Sequence, residues 1–332
     1  MSFFEALQPV HAILVVQLLL LLLSGALTVR NQHTAGMTGA NFVSAFLAEW
    51  HKLMSRIFAR AGLVLALLIG IGMPPFLYLL KWGGLVAGNR IWTELSPENE
   101  AIPWTPIDMD SGLIYALWMR NFFIMAAFLI LLASVSFAGE FKAKTLREDM
   151  LRPVPRDMLL LAKWSALVAW AALALLLTWL PCTLESFVLF RGGGNMLLVT
   201  EGFMASWLVD VSIISAGLFL AVLTRSVPIT LLGLIFLYGA DYGLSVSLGL
   251  APTHMLPDDY KYINTAKEAF LPFTYSNAVE FWQGYNTEPS RDIATLGDKL
   301  STWSLQGLST LLLLIHASMA GAVLWFRRMD VP

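Results

Sequence analysis

Residues 159–181 read LLLAKWSALVAWAALALLLTWLP, a run in which Lys163 is the sole charge. An α-helix needs about 20 apolar residues to cross the hydrocarbon core of a bilayer. In lipid, every backbone N–H and C=O must be satisfied within the segment, so such a run is predicted to be a spanning helix. Just upstream, residues 139–158 are crowded with charge: Glu140, Lys142, Lys144, Arg147, Glu148, Asp149, Arg152, Arg156 and Asp157. Upstream again, 113–138 is apolar, with Arg120 near enough to one end to snorkel. The same alternation runs along the whole chain. Seven segments are predicted to span: 10–29, 61–80, 113–138, 159–181, 203–223, 228–249 and 304–326. The predicted fold class is therefore all-α, a polytopic integral membrane protein.

Composition agrees. The 332 residues are 57% hydrophobic and 13% charged, whereas a soluble domain carries about 25% charged residues. The net charge of −2 gives no basic field for nucleic acid. Cys182 is the one cysteine, which rules out an internal disulfide and a cysteine metal cluster. The twelve tryptophans suit a chain whose indoles sit at headgroup level.

Basic residues set the direction of threading. One side collects Arg30, Lys52, Arg56, Arg60, Lys142, Lys144, Arg147, Arg152, Arg156, Arg225, Arg327 and Arg328, with Lys163 snorkelling back to it. That side is predicted to be cytoplasmic and to hold the C-terminus. The outer loops are then 81–112, 182–202 and 250–303, where Glu94, Glu98, Glu100, Asp108 and Asp110 lie. Residues 1–36 form an N-terminal extension with an extra span. No Lys or Arg precedes that span and Arg30 follows it, which favours an anchor with its N-terminus outside. Ser24, Gly25 and Ala26 would also suit removal of a leader, and Met37 would open a six-span protein over 37–332.

Two elements on the cytoplasmic side carry pattern. Over 41–58, Phe42, Val43, Phe46, Leu47, Trp50, Leu53, Met54, Ile57 and Phe58 recur at helical spacing, with Glu49, Lys52, Ser55 and Arg56 on the other face. This predicts an amphipathic helix lying in the membrane interface, either as a plain surface helix or as one that also meets a cytoplasmic partner. In 139–158, Thr145 and Glu148 stand in capping-box positions, and Pro153 and Pro155 end the short helix so begun. A short rigid helix on a tight loop suits docking onto a cytoplasmic protein. A solvated loop obeying the positive-inside rule would have the same charge.

This stretch resembles the type-2 ATP-binding-cassette (ABC) exporter permease family. Gly139, Glu140, Thr145, Leu146, Met150, Leu151, Pro153, Arg156, Leu159, Leu160 and Lys163 match that family's pattern. Residues 48–60 resemble its basic connecting helix, Leu271-Pro272-Phe273-Thr274 its re-entrant outer segment, and Trp325-Phe326-Arg327-Arg328-Met329-Asp330 its C-terminus. Lys144 departs from it, standing where the family has glycine. The resemblance implies a six-span permease core, to which the extra first helix is an addition, residing in a prokaryotic plasma (inner) membrane. Its implied partners are two copies of a cassette ATPase and a second permease, identical or homologous. ATP and Mg would sit on the ATPase, since this chain has no phosphate-cradling G-x-x-x-x-G-K-[ST] segment. The ATPase-coupling residues so implied are Glu140, Thr145, Arg147, Pro153 and Arg156.

Inside the membrane, Asp210 and Asp241 are the polar residues of note. They read either as a polar vestibule or ion site, or as hydrated or neutral carboxyls. Gln306 and His316 in the last span can hydrogen-bond between helices. Met73-Pro74-Pro75 is predicted to kink the second span. No set of residues has the spacing of a catalytic or metal site. The competing function is an ion-coupled secondary transporter using Asp210 and Asp241, but that class is built from repeats in two halves, and no such correspondence is visible.

Overall fold

The computed structural model describes residues 39–95, 125–146, 155–190, 196–250 and 293–329. Among them the order is α1 (Gly39–Ser55), α2 (Ile57–Leu95), α3 (Met125–Ser134), α4 (Arg156–Phe190), α5 (Met196–Thr224), α6 (Val227–Leu250) and α7 (Ile293–Arg328). A π-helical turn, Val135–Gly139, prolongs α3, and one more α-turn, Glu140–Lys142, comes after it. Among the described residues five helical stretches are long and apolar enough to cross a membrane: Ile57–Phe76, Met125–Lys142 (α3 with the two turns after it), Arg156–Leu189, Ser206–Thr224 and Leu311–Arg328. The chain is an all-α, multi-pass membrane protein. The predicted span 10–29 and the re-entrant segment at 271–274 lie outside the described residues.

The helices outrun the apolar runs that announced them. The helix predicted over 61–80 continues to Leu95, with Pro74 and Pro75 inside it. The one predicted over 159–181 continues past Pro181 to Phe190, and α5 begins at Met196. Loops expected at 81–112 and 182–202 are thus partly helix. An apolar run ends where lipid ends, whereas a backbone ladder continues wherever helical φ/ψ is unobstructed.

Small residues decide how closely the helices approach. On α2, Ala59, Gly62, Ala66 and Gly70 line a seam against α4. A Cβ on Gly62 would lie 2.8 Å from the Trp170 ring, and one on Gly70 would lie 2.6 Å from the Thr178 carbonyl oxygen. Side-chain donors then cross the seam. Trp170 Nε1 donates to the Ala59 carbonyl at 3.2 Å, and Thr178 Oγ1 donates to the Ala66 carbonyl at 3.1 Å. In lipid such close packing and interhelical hydrogen bonds supply the association that the hydrophobic effect supplies in water. Gly217 of α5 does the same against Ala133 of α3, and Gly321 of α7 against the Phe219 ring. His316, expected to bond between helices, is exposed and contacts the Leu312 carbonyl of its own helix at 2.7 Å.

Candidate functional site: a buried charge network at the root of the 139–158 loop

The amphipathic helix ends at Ser55, earlier than predicted. The chain bends at Arg56 and turns directly into α2, so Ile57 and Phe58 belong to the span and are exposed. Packing places α1 against α4. Leu53 is buried there, Phe46, Trp50 and Met54 are partly buried, and Val43 and Leu47 stay on the outer face. The expectation for Glu49 is corrected. It does not lie on the polar outer face but is 6% exposed and faces α4.

Its partner is Lys163. The sequence placed this ammonium at the interface, snorkelling to water, yet it is 1% exposed. Lys163 Nζ donates to Glu49 Oε2 at 2.6 Å and also to Glu140 Oε2. Arg56 Nη2 donates to the other oxygen of Glu140 at 3.2 Å, and Lys52 Nζ to the other oxygen of Glu49 at 3.0 Å. The result is a five-residue chain: Lys52, Glu49, Lys163, Glu140, Arg56. Burying a lone ammonium costs several kcal/mol. Two carboxylates offset that cost here by meeting Lys163 from two different elements. The network therefore ties α1, the bend at Arg56, the root of the 139–158 loop and α4 to one another.

Local structure positions Glu140. The π-turn precedes it directly, and two serines satisfy carbonyls around that turn: Ser134 Oγ donates to the Ile130 carbonyl at 2.7 Å and Ser136 Oγ to the Ala133 carbonyl at 3.0 Å. After Lys142 the backbone turns through Lys144, whose φ is 60°. That left-handed conformation costs a residue with a Cβ about 1–2 kcal/mol and glycine almost nothing. It gives a backbone reason for the glycine in the pattern that Lys144 replaces. Thr145 Oγ1 reaches back to the Glu140 carbonyl at 3.4 Å, and Leu146 is fully buried. Arg225, also left-handed at φ 55°, closes α5 by donating its N–H to the Ala221 carbonyl, and its guanidinium sits 5.3 Å from the Phe141 ring centre.

The remaining sequence-derived residues scatter. Arg156, at the exit of the loop, is exposed and uses Nη1 to donate to the Met329 carbonyl at 2.6 Å. Arg147, Pro153 and the capping partner Glu148 lie outside the described residues. Asp210 is buried within α5 at 2% exposure. Asp241 falls in α6, in the part where the helix but not the side chains is described. Sequence reasoning missed Glu49 as a network member. Its spacing held the clue: 46, 49, 50 and 53 form one helical stripe, so Glu49 interrupts an apolar face.

A multi-pass helical protein with a charged loop tied into its spans is what a transporter's membrane subunit presents. Residues 45–240, more than half of the chain, match the family described as ABC-2 family transporter protein. The chain belongs to that family and is an ABC transporter permease. No curated protein matches it.

Proposed function

We propose that this chain is the permease subunit of an ABC exporter, driven by a separate ATPase that docks on the 139–158 loop. The loop side and the C-terminus are cytoplasmic in this reading, and the membrane is the prokaryotic plasma membrane. Two cassette ATPase subunits and a second permease, identical or homologous, complete the transporter. ATP and Mg bind on the ATPase. The observation that carries the reading is the Lys163–Glu140 contact, because it joins the root of the loop to a spanning helix through a buried ion pair. A loop so anchored passes a displacement on to the helices, whereas a tethered flexible loop would absorb it. Glu140 and Thr145 fix the entry of the loop and Arg156 its exit, leaving Arg147 and Pro153 for the ATPase.

The test is a pull-down of the ATPase with Glu140→Ala, Arg156→Ala and the double variant, alongside a transport assay. Glu140→Ala breaks a buried ion pair on one side, at a cost of about 3–5 kcal/mol, and Arg156→Ala removes a hydrogen bond to the Met329 carbonyl. The double variant is expected to weaken ATPase association or to uncouple hydrolysis from transport, while membrane insertion continues. Arg191→Ala, next in sequence to Phe190 at the opposite end of α4, serves as the control. Full association and full transport in the double variant would refute the assignment.

A further inference from the structure

Both arms of the 139–158 loop are held by the end of the last helix, which a simple docking loop does not require. At the exit, Arg327 Nε lies 2.9 Å from each oxygen of Asp157, and its Nη2 contacts Oδ2 as well. Next to this fork, Arg156 Nη1 donates to the Met329 carbonyl at 2.6 Å and lies 3.4 Å from that of Arg327. These two carbonyls close α7. At the entry, the Phe326 ring meets Phe137 of the π-turn edge-on, with centres 5.1 Å apart. Phe326 and Met329 are buried in one cluster with Leu146 of the loop and Leu159 and Leu160 of α4. The Arg327 side chain is 59% exposed, so its ion pair contributes little to stability. What a planar fork does fix is relative orientation.

We propose that Phe326–Met329 and Arg156–Asp157 form a latch, through which a displacement of the loop moves α7 together with α4. Arg156, Asp157 and Arg327 are then positioning residues for coupling. The inference rests on the reading that the loop receives the thrust of the ATPase. It adds a second output helix, whose Arg327 lies 170 residues beyond Asp157.

The experiment uses the full-length permease in its membrane complex with the ATPase, and reads transport per ATP hydrolysed, ATPase association and thermal stability. Arg327→Ala and Asp157→Ala should each lower transport per ATP by about three- to tenfold, the scale of coupling changes within a packed network. Association and stability should hardly change. The charge-swapped pair Asp157→Arg/Arg327→Asp should restore the ratio, and Arg327→Lys should restore it in part, since an ammonium cannot form the fork. Joining Asp157→Cys to Arg327→Cys with a short bifunctional thiol reagent should leave transport intact, because the latched parts move together. Unaltered coupling in Arg327→Ala, no rescue by the swap, or transport abolished by the cross-link would each overturn the latch. Failure of the parent reading looks different: the wild-type chain itself would hold no ATPase.

Discussion

Lys163 illustrates how a residue's chemistry depends on what reaches it. On its own helix it is a lone charge in an apolar run, and from sequence the cheapest course is to stretch toward water. The fold instead brings Glu49 and Glu140 to its ammonium. Neither approach can be read from spacing along one helix, since Glu49 lies 114 residues away. Removing the cation would leave two carboxylates facing each other in a buried site. Lys163→Met is therefore expected to destabilise the protein by about 3–5 kcal/mol, the cost of breaking a buried ion pair on one side only. The triple variant Glu49→Gln/Glu140→Gln/Lys163→Met should recover part of that loss, because no charge stays fully buried and the cations left over, Lys52 and Arg56, are partly exposed. Thermal unfolding in detergent measures both. A single variant as stable as the wild type would show that the network carries no structural weight.

For the helices, the sequence is most informative about what faces lipid and least about where a helix stops. The apolar runs locate α2, α4 and α5 but not the extensions to Leu95 and Phe190. The α2–α4 seam was hidden for a related reason. Glycine and alanine are too apolar to interrupt a spanning run, so a face built for close approach looks like any other stretch of the run. Gly70 and Gly72 separate the two roles. A Cβ at Gly70 would meet the carbonyl oxygens of Thr178 and Leu177 at 2.6 and 2.9 Å, and backbone cannot move aside cheaply. Gly70→Ala should cost about 1–3 kcal/mol through overpacking. A Cβ at Gly72 meets nothing within 4 Å, so Gly72→Ala should be neutral or gain up to about 1 kcal/mol of helix propensity. Equal stability for the two variants would contradict the seam.

At the scale of the molecule, charge placement gives a direction that apolar runs alone do not. Lys142, Lys144, Arg156, Arg225, Arg327 and Arg328 gather where α3, α4, α5 and α7 end or begin. On the positive-inside rule this is the face proposed to be cytoplasmic. An introduced thiol at Arg152→Cys is thus expected to escape a membrane-impermeant reagent in intact cells and to react once the cells are opened. The native Cys182 is buried and gives little background. Labelling in intact cells would reverse the orientation.

The π-turn sets the angular phase of the residues beyond it. In an α-helix each residue advances about 100° around the axis. A turn closed by i→i+5 bonding holds one residue more, so everything beyond it is set back by about that angle. Upstream of the turn, α3 presents Leu129, Leu132 and Ala133 to the apolar core. Downstream of that offset, Glu140 meets Lys163 in the charge network. One helix thus serves two clocks, an apolar one for the spans and a polar one for the loop. The single extra residue between Val135 and Gly139 keeps them out of step.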